Sequence, residues 1–535
     1  MSNSARSGKA IMLWQRAKSL WAVLSVVSLV AGPAAADQDS ASARVYFERC
    51  ASCHGNDRLG GMGPALLPES LARLGTKEAV RVITAGRPAT QMPGFEGVLP
   101  PDAIAAVAAW IYRPPAEPPR WTVTDMLASR SLTTAPDALP AKPVHTADPL
   151  NLFTVVETGD NHVTILDGDR FEPIWRFQSR FALHGGAKYS PDGRFVYLGS
   201  RDGWVGKYDL YGLTRVAEVR AGINLRNIAV SADGRYVMAG NTLPNTVVVL
   251  DARDLAPLKV IPVEDRAGRA SGVSAVYTAP PRQSFIVALR DQPELWEISY
   301  QDNPEPQARG LVHSYQPGML EGAFDHGPFP IRRVPLDEPL DDFFFDPSYR
   351  VAVGAARASR SGQVINLNVG RKIADVSIGG MPHLASGISF QHEGKPVLAT
   401  PVLDEAAIAV VDMSTWQPVK RIATGGPGFF MRSHENTPFA WIDTSLGSVR
   451  DQIQIIDKRS LELVRTLVPE PGRLASHVEF TRDGRHALVS VAETDGALFV
   501  YDAQNFSVVK RIPMRKPSGK YNVYNKINLS PGTSH

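Results

Sequence analysis

Cysteine is nearly absent, with two in 535 residues, at positions 50 and 53. A pair three positions apart cannot staple distant parts of a chain, so a disulfide framework is excluded and the thiols have another use. Neither charge is in excess, at 57 Lys and Arg against 54 Asp and Glu. There is also no long basic run and no basic stripe interleaved with aromatics, so a nucleic-acid partner is not expected. Beyond the first 36 residues no apolar run approaches the roughly 20 residues needed to cross a bilayer, so no membrane span is expected. The chain is too long for one typical core, which predicts two or more domains.

The beginning of the chain reads as an export signal. Arg6, Lys9, Arg16 and Lys18 precede an apolar stretch over residues 20–31, and Ala34-Ala35-Ala36 offers the small residues of a cleavage site. Residues 1–36 are therefore expected to be a signal peptide and the remainder to work in the periplasm.

Cys50-Ala51-Ser52-Cys53-His54 is the attachment pattern of a c-type haem. Two thiols bond the vinyl groups of one porphyrin, and the following imidazole reaches the iron. A two-cysteine redox motif is the alternative, but it does not call for the histidine. The surroundings are those of a cytochrome. A short helix containing Val45, Tyr46 and Phe47 leads in, and Gly60-Gly61-Met62-Gly63-Pro64 forms a tight loop. Helices follow at about residues 77–84 and 102–112, the second with Ile104, Val107, Ala108 and Ile111 at helical spacing. Met92, in Gln91-Met92-Pro93-Gly94-Phe95, is the expected sixth ligand and Met62 the competing candidate. A His/Met pair suits electron transfer. Residues 37–114 thus read as a small α-helical class I cytochrome c domain, followed by a proline-rich, extended connector over 115–150.

From about residue 151 the pattern changes to short runs of Val, Ile, Leu, Tyr and Phe separated by Gly, Asp, Asn and Pro turns. Units begin near Leu152, Arg194, Tyr236, Ser284, Tyr349, Pro396, Pro438 and His486, and many second strands end in Asp. Repetition at this spacing predicts an eight-bladed β-propeller over 151–535, so the fold class is a two-domain α plus all-β chain. The stretch over 302–340 reads as an insertion between blades.

A c-type cytochrome joined to an eight-bladed propeller resembles the cytochrome cd1 family, whose propeller holds haem d1 without covalent bonds. Leu183-His184, Tyr189-Ser190-Pro191-Asp192-Gly193-Arg194 and Ser200-Arg201-Asp202-Gly203 look like the family stretch with the proximal haem d1 histidine and a propionate-binding arginine. Arg226, in Gly222-Ile223-Asn224-Leu225-Arg226, is similar to a second carboxylate-binding arginine, and Lys520-Tyr521-Asn522-Val523-Tyr524-Asn525 to the C-terminal signature. Arginine forks suit the several carboxylates of such a macrocycle.

Nitrite-reducing members of the family use two histidines above the haem d1 iron. Met381-Pro382-His383 resembles the segment of the second, but no histidine lies between His326 and His383, and Asp341 stands about where the first is expected. The departure resembles the dihydro-haem d1 dehydrogenase branch, which finishes haem d1 biosynthesis by desaturating a propionate to an acrylate. That branch has a further histidine near its C-terminus, matched by His477 in Ser476-His477-Val478-Glu479-Phe480. The resemblance implies an oxidoreductase with His184 and His383 as axial ligands of the bound dihydro-haem d1, His477 as base, and Arg201 and Arg226 on carboxylates. It also implies electron exit through the c haem to a small periplasmic acceptor, and transient contact with a cd1 nitrite reductase or other haem d1 maturation proteins. Asp341 and Arg432 are expected in the pocket without a further role. Two other functions stay open at this point, a cd1 nitrite reductase and a haem d1 carrier.

Overall fold

The computed structural model describes residues 33–61, 63–72, 74–86, 92–313, 320–325, 327–356 and 359–528. The expected export signal lies almost wholly outside them, and so does Met62. Among the described residues no helix is long and apolar enough to cross a membrane.

The first domain is helical. A helix over Pro33–Arg49 runs into a single turn, Ala51–His54, and packs on Pro101–Ile111; Thr76–Ala85 lies against that last helix. Tyr46, Ile83, Phe95, Ile104, Val107 and Ala108 form its core.

Eight β-sheet blades follow. Blade 1 takes three strands, Leu152–Glu157, His162–Asp167 and Glu172–Gln178, from the start of the propeller and its innermost strand, Pro517–Asn522, from the end. This pairing of the two chain ends closes the ring, so no sheet edge is left open inside it. The other blades occupy residues 188–220, 224–262, 273–335, 342–377, 388–423, 431–467 and 475–513, numbered 2 to 8 in chain order. In each, strands run outward from the axis, and the apolar faces of neighbours bury one another. Phe343, Phe345 and Tyr349 of blade 5, for example, pack on Ala275, Tyr277 and Ile286 of blade 4.

Two segments differ from the sequence-based expectation. The connector over 115–150 is more than extended chain. It holds a helix, Val123–Ser129, started by a reciprocal capping box in which Thr122 and Asp125 satisfy each other's backbone N–H. Met126 anchors that helix under blade 2 with no exposed surface, and Ser131–Leu132 adds a fifth strand to the blade's outer edge. Met126→Ala removes a buried side chain from a closed site, so the propeller should lose about 2–5 kcal/mol, read as a lower denaturant midpoint. The stretch over 302–340 holds a hairpin, Gln307–His313 with Leu320–Asp325, and then Ile331–Pro335, the outer strand of blade 4.

The helical domain rests on blades 2 and 3. Ala65 and Leu67 pack on Ile223 and Leu243, and Asn224 donates to the Ser70 hydroxyl at 3.3 Å. Arg220 lies over the Trp121 ring at 4.7 Å and donates to the carbonyls of Leu59 and Asp202, thereby joining the loop after His54 to the blade that carries His184.

Candidate functional site

In the first domain the attachment motif is wound into a helical turn, with His54 N–H bonded to the Cys50 carbonyl at 2.9 Å. Cys50 and Cys53 stand at the two ends of this turn, both half-buried. His54 is buried and its Nδ1 lies 2.8 Å from the Pro64 carbonyl. A carbonyl only accepts, so Nδ1 carries the proton and Nε2 keeps its lone pair for a metal. Gly63 must lack a side chain, because a Cβ there would lie 2.7 Å from the His54 ring. Met92 is half-buried against the same core. Its segment is held by Gly86, where a Cβ would meet the Met92 carbonyl at 2.8 Å, and by Phe95 N–H on Ile83. Two thiols, a tautomer-locked imidazole and a nearby thioether are a donor set that fits a covalently held haem.

The propeller axis opens into a cavity of about 540 Å³, large enough for a macrocycle. His184, His383, His477, Arg226, Asp341 and Arg432 all line it. His184 enters from the loop leading into blade 2 and His383 from the loop leading into blade 6. In a ring of eight those blades face each other across the axis. Each histidine repeats the lock seen at His54: His184 Nδ1 lies 2.7 Å from the Arg226 carbonyl, and His383 Nδ1 lies 2.6 Å from that of Phe429. Both therefore keep Nε2 as an acceptor.

Arg201 does not line the cavity; its guanidinium instead donates to His184 Nε2 at 2.7 Å. Arg226 does line it, and its backbone carbonyl also orients His184.

His477 sits on the innermost strand of blade 8, Ala475–Phe480, at a register shift between Ser476 and Val478. Its φ of +50° is disfavoured for a residue with a side chain, a strain of about 1–3 kcal/mol. The bulge breaks the strand's alternation and turns the ring toward the axis. There it lies beside Phe430, at 4.6 Å between centroids, and Tyr521, at 5.2 Å. It is 1% exposed, yet among the described residues neither ring nitrogen has a hydrogen-bond partner. Buried polar atoms are rarely left so, because the lost hydration costs about 1–3 kcal/mol. An occupant of the cavity is the natural partner.

Burial holds the His477 imidazole well below its ordinary 6.5, reinforced by the positive charges of Lys520, Arg432 and Lys526. The unfolded chain then binds a proton that the folded one refuses. This group's contribution to stability is therefore fully present above pH 6.5 and lost as the pH falls below it. For the substrate-free protein, urea midpoints compared between about pH 5 and 7 should show a shallower loss in His477→Gln than in the parent.

The sequence reading missed the cations that surround the cavity. Besides Arg226 and Arg432 it is lined by Lys188, Lys516 and Lys526, with only Asp341 and Asp342 opposing them. Burial pushes the Lys188 amine down to about 8 and holds Lys526 well below the usual amine range. Among the described residues the Arg432 Nε has no hydrogen-bond partner, and the Glu479 carboxylate lies 3.9 Å from it. Desolvated positive charge of this kind is stabilised by incoming anions. Planar guanidinium groups match the geometry of carboxylates. Lys188 falls between the Leu183-His184 and Tyr189-Ser190 motifs, and only the fold brings it to the same cavity as Lys526.

Residues 147–317 and 323–526 match the family described as Cytochrome D1 heme domain, and residues 37–111 match the family described as cbb3-type cytochrome c oxidase subunit III. The chain is 53% identical to a dihydro-heme d1 dehydrogenase of Pseudomonas aeruginosa, over 95% of this chain and 99% of that one. It is 25% identical to a nitrite reductase of Stutzerimonas stutzeri, over 94% and 96%. A solved structure of the dihydro-heme d1 dehydrogenase NirN in complex with DHE superposes with a TM-score of 0.84 at 53% identity, covering 91% of this chain and all of that one. This chain belongs to the cytochrome D1 heme domain family, as a member with its own N-terminal cytochrome c domain.

Proposed function

We propose that the chain is a periplasmic dihydro-haem d1 dehydrogenase. It converts one propionate side chain of bound dihydro-haem d1 to an acrylate and completes haem d1. The observation that carries this reading is His477, a buried, neutral imidazole with both nitrogens unpartnered inside a cation-lined cavity.

The reaction removes two protons and two electrons from a CH₂–CH₂ unit. His477 takes one proton, and the second goes to water. Held neutral by its surroundings, the imidazole stays available as a base across the neutral pH range. His184 and His383 ligate the substrate iron from opposite faces through their Nε2 atoms. That requires Arg201 to leave His184 Nε2, which frees its guanidinium for a substrate carboxylate. Arg226, Lys188 and Lys526 meet the remaining carboxylates and fix the ring's rotation. With both axial positions filled, a small ligand such as nitrite finds no open site on the iron.

The c haem, attached at Cys50 and Cys53 with His54 and Met92 as ligands, supplies a one-electron acceptor. The first domain docks on blades 2 and 3, and the loop that carries His184 leads into blade 2, which supports an electron exit through that domain. Electrons leave from there to a small acceptor protein. The finished haem d1 passes on through transient contact with a cd1 nitrite reductase or another haem d1 maturation protein. Export follows from the signal-like residues 1–36.

Incubation of the purified holoprotein with dihydro-haem d1 and a one-electron oxidant tests the reading. A loss of two hydrogens in the mass of the extracted macrocycle is expected. An unchanged mass, with the macrocycle bound, means a carrier instead.

A further inference from the structure

Asp443 ends the second strand of blade 7, Phe439–Asp443, and is fully buried. It is not among the residues lining the cavity. Its two oxygens reach backbone on both sides of a blade boundary. Oδ1 accepts from Phe429 N–H at 2.8 Å and from the Ser445 hydroxyl at 2.8 Å. Oδ2 accepts from Phe430 N–H at 3.3 Å and from His477 N–H at 3.1 Å. One carboxylate therefore ties the segment leading into blade 7 to the bulge in blade 8.

Each tethered backbone leads to a functional ring. The Phe429 carbonyl accepts the His383 Nδ1 proton, and the Phe429 ring packs on His383 at 4.0 Å between centroids. The Phe430 ring packs on His477. On its other side the His477 peptide is held by Lys520, whose ammonium donates to the His477 carbonyl and, at 2.9 Å, to the Ser490 hydroxyl. A buried carboxyl group and a buried amine thus clamp the backbone of His477, whose left-handed conformation needs holding, and of the two Asp443 also reaches the His383 side.

We propose that Asp443 is a positioning residue that sets His383 and His477 at a fixed separation. One carboxylate thereby orients an iron ligand and the base that must reach a side chain of the same macrocycle. Lys520 positions His477 alone. Both statements rest on the roles proposed above for the two histidines.

Asp443→Asn in the full-length protein with its c haem attached is the direct test. The amide keeps one acceptor and turns an NH₂ toward N–H groups that now meet an oxygen, so part of the network faces a donor. Two readouts are expected to move. The kcat for desaturation falls about 10–100-fold, as loss of outer support around a metal ligand does, with little change in KM. The absorption and EPR spectra of bound dihydro-haem d1 gain a high-spin fraction as His383 loosens. Lys520→Met serves as the contrast and as the fallback should Asp443→Asn not fold. It should lower kcat and leave the spectra unchanged. Parental spectra in Asp443→Asn overturn the inference, as does a spectral change in Lys520→Met as large as that expected of Asp443→Asn. If the parent protein binds dihydro-haem d1 but does not desaturate it, the functional reading fails separately, and a spectral shift confined to Asp443→Asn still supports the positioning role.

Discussion

His477→Ala should bind dihydro-haem d1 and fail to desaturate it. Loss of a positioned general base lowers rates by about 10²–10⁴-fold, and no neighbour can substitute. The nearest aromatic groups, Phe430 and Tyr521, offer a bare ring and a phenol whose proton burial holds in place, pushing its pKa up to about 12. Lys520 is committed to the His477 carbonyl and to Ser490. Binding should survive because the proposed axial ligands stand on blades 2 and 6, whereas His477 stands on blade 8. Binding titrations followed by single-turnover absorption separate the two effects. A carrier that only hands over the macrocycle would be indifferent to this substitution, so undiminished function in His477→Ala would argue for a carrier.

The second large effect is expected from Cys50→Ser with Cys53→Ser. Without thiols the c haem cannot be attached, and the first domain keeps only the apolar packing of Tyr46, Ile83, Phe95 and Ile104 around an empty centre. The propeller does not depend on it, since blade 1 is closed by its own two chain ends. The denaturant midpoint of the propeller and the affinity for dihydro-haem d1 should therefore stay near those of the parent. Turnover with a one-electron protein acceptor should fall to background, because the proposed relay between the cavity and that acceptor is gone. Turnover at the parental rate would mean that electrons leave the propeller directly.

How much of this was legible in the sequence depends on how local each signal is. The haem attachment motif is five consecutive residues, and the second and third strands of the blades announce themselves as apolar runs, most of the third strands ending in Asp. The units read from sequence begin at those second strands. The innermost strands are hidden because their cavity-facing residues break the alternation. Ala475–Phe480 carries Ser476, His477 and Glu479, and the strand that bears Lys188 is only two residues long. His184, His383 and His477 could be nominated by likeness to a family, but composition does not show that they share a cavity. That follows from blade order. Asp443 gives no signal at all, since it acts on backbone 13, 14 and 34 residues away. The helix in the connector was readable, from Thr122 with Asp125 and the apolar Met126, but it was masked by the prolines before it.

The central claim is that protons leave in the propeller while electrons leave through the c haem. Oxidised protein mixed without oxygen or acceptor with dihydro-haem d1 tests it most directly, with c haem reduction and macrocycle mass followed together. The account predicts two c haems reduced for each macrocycle that loses two hydrogens, since each c haem takes one electron. Desaturated product accompanied by c haem that remains oxidised would contradict it.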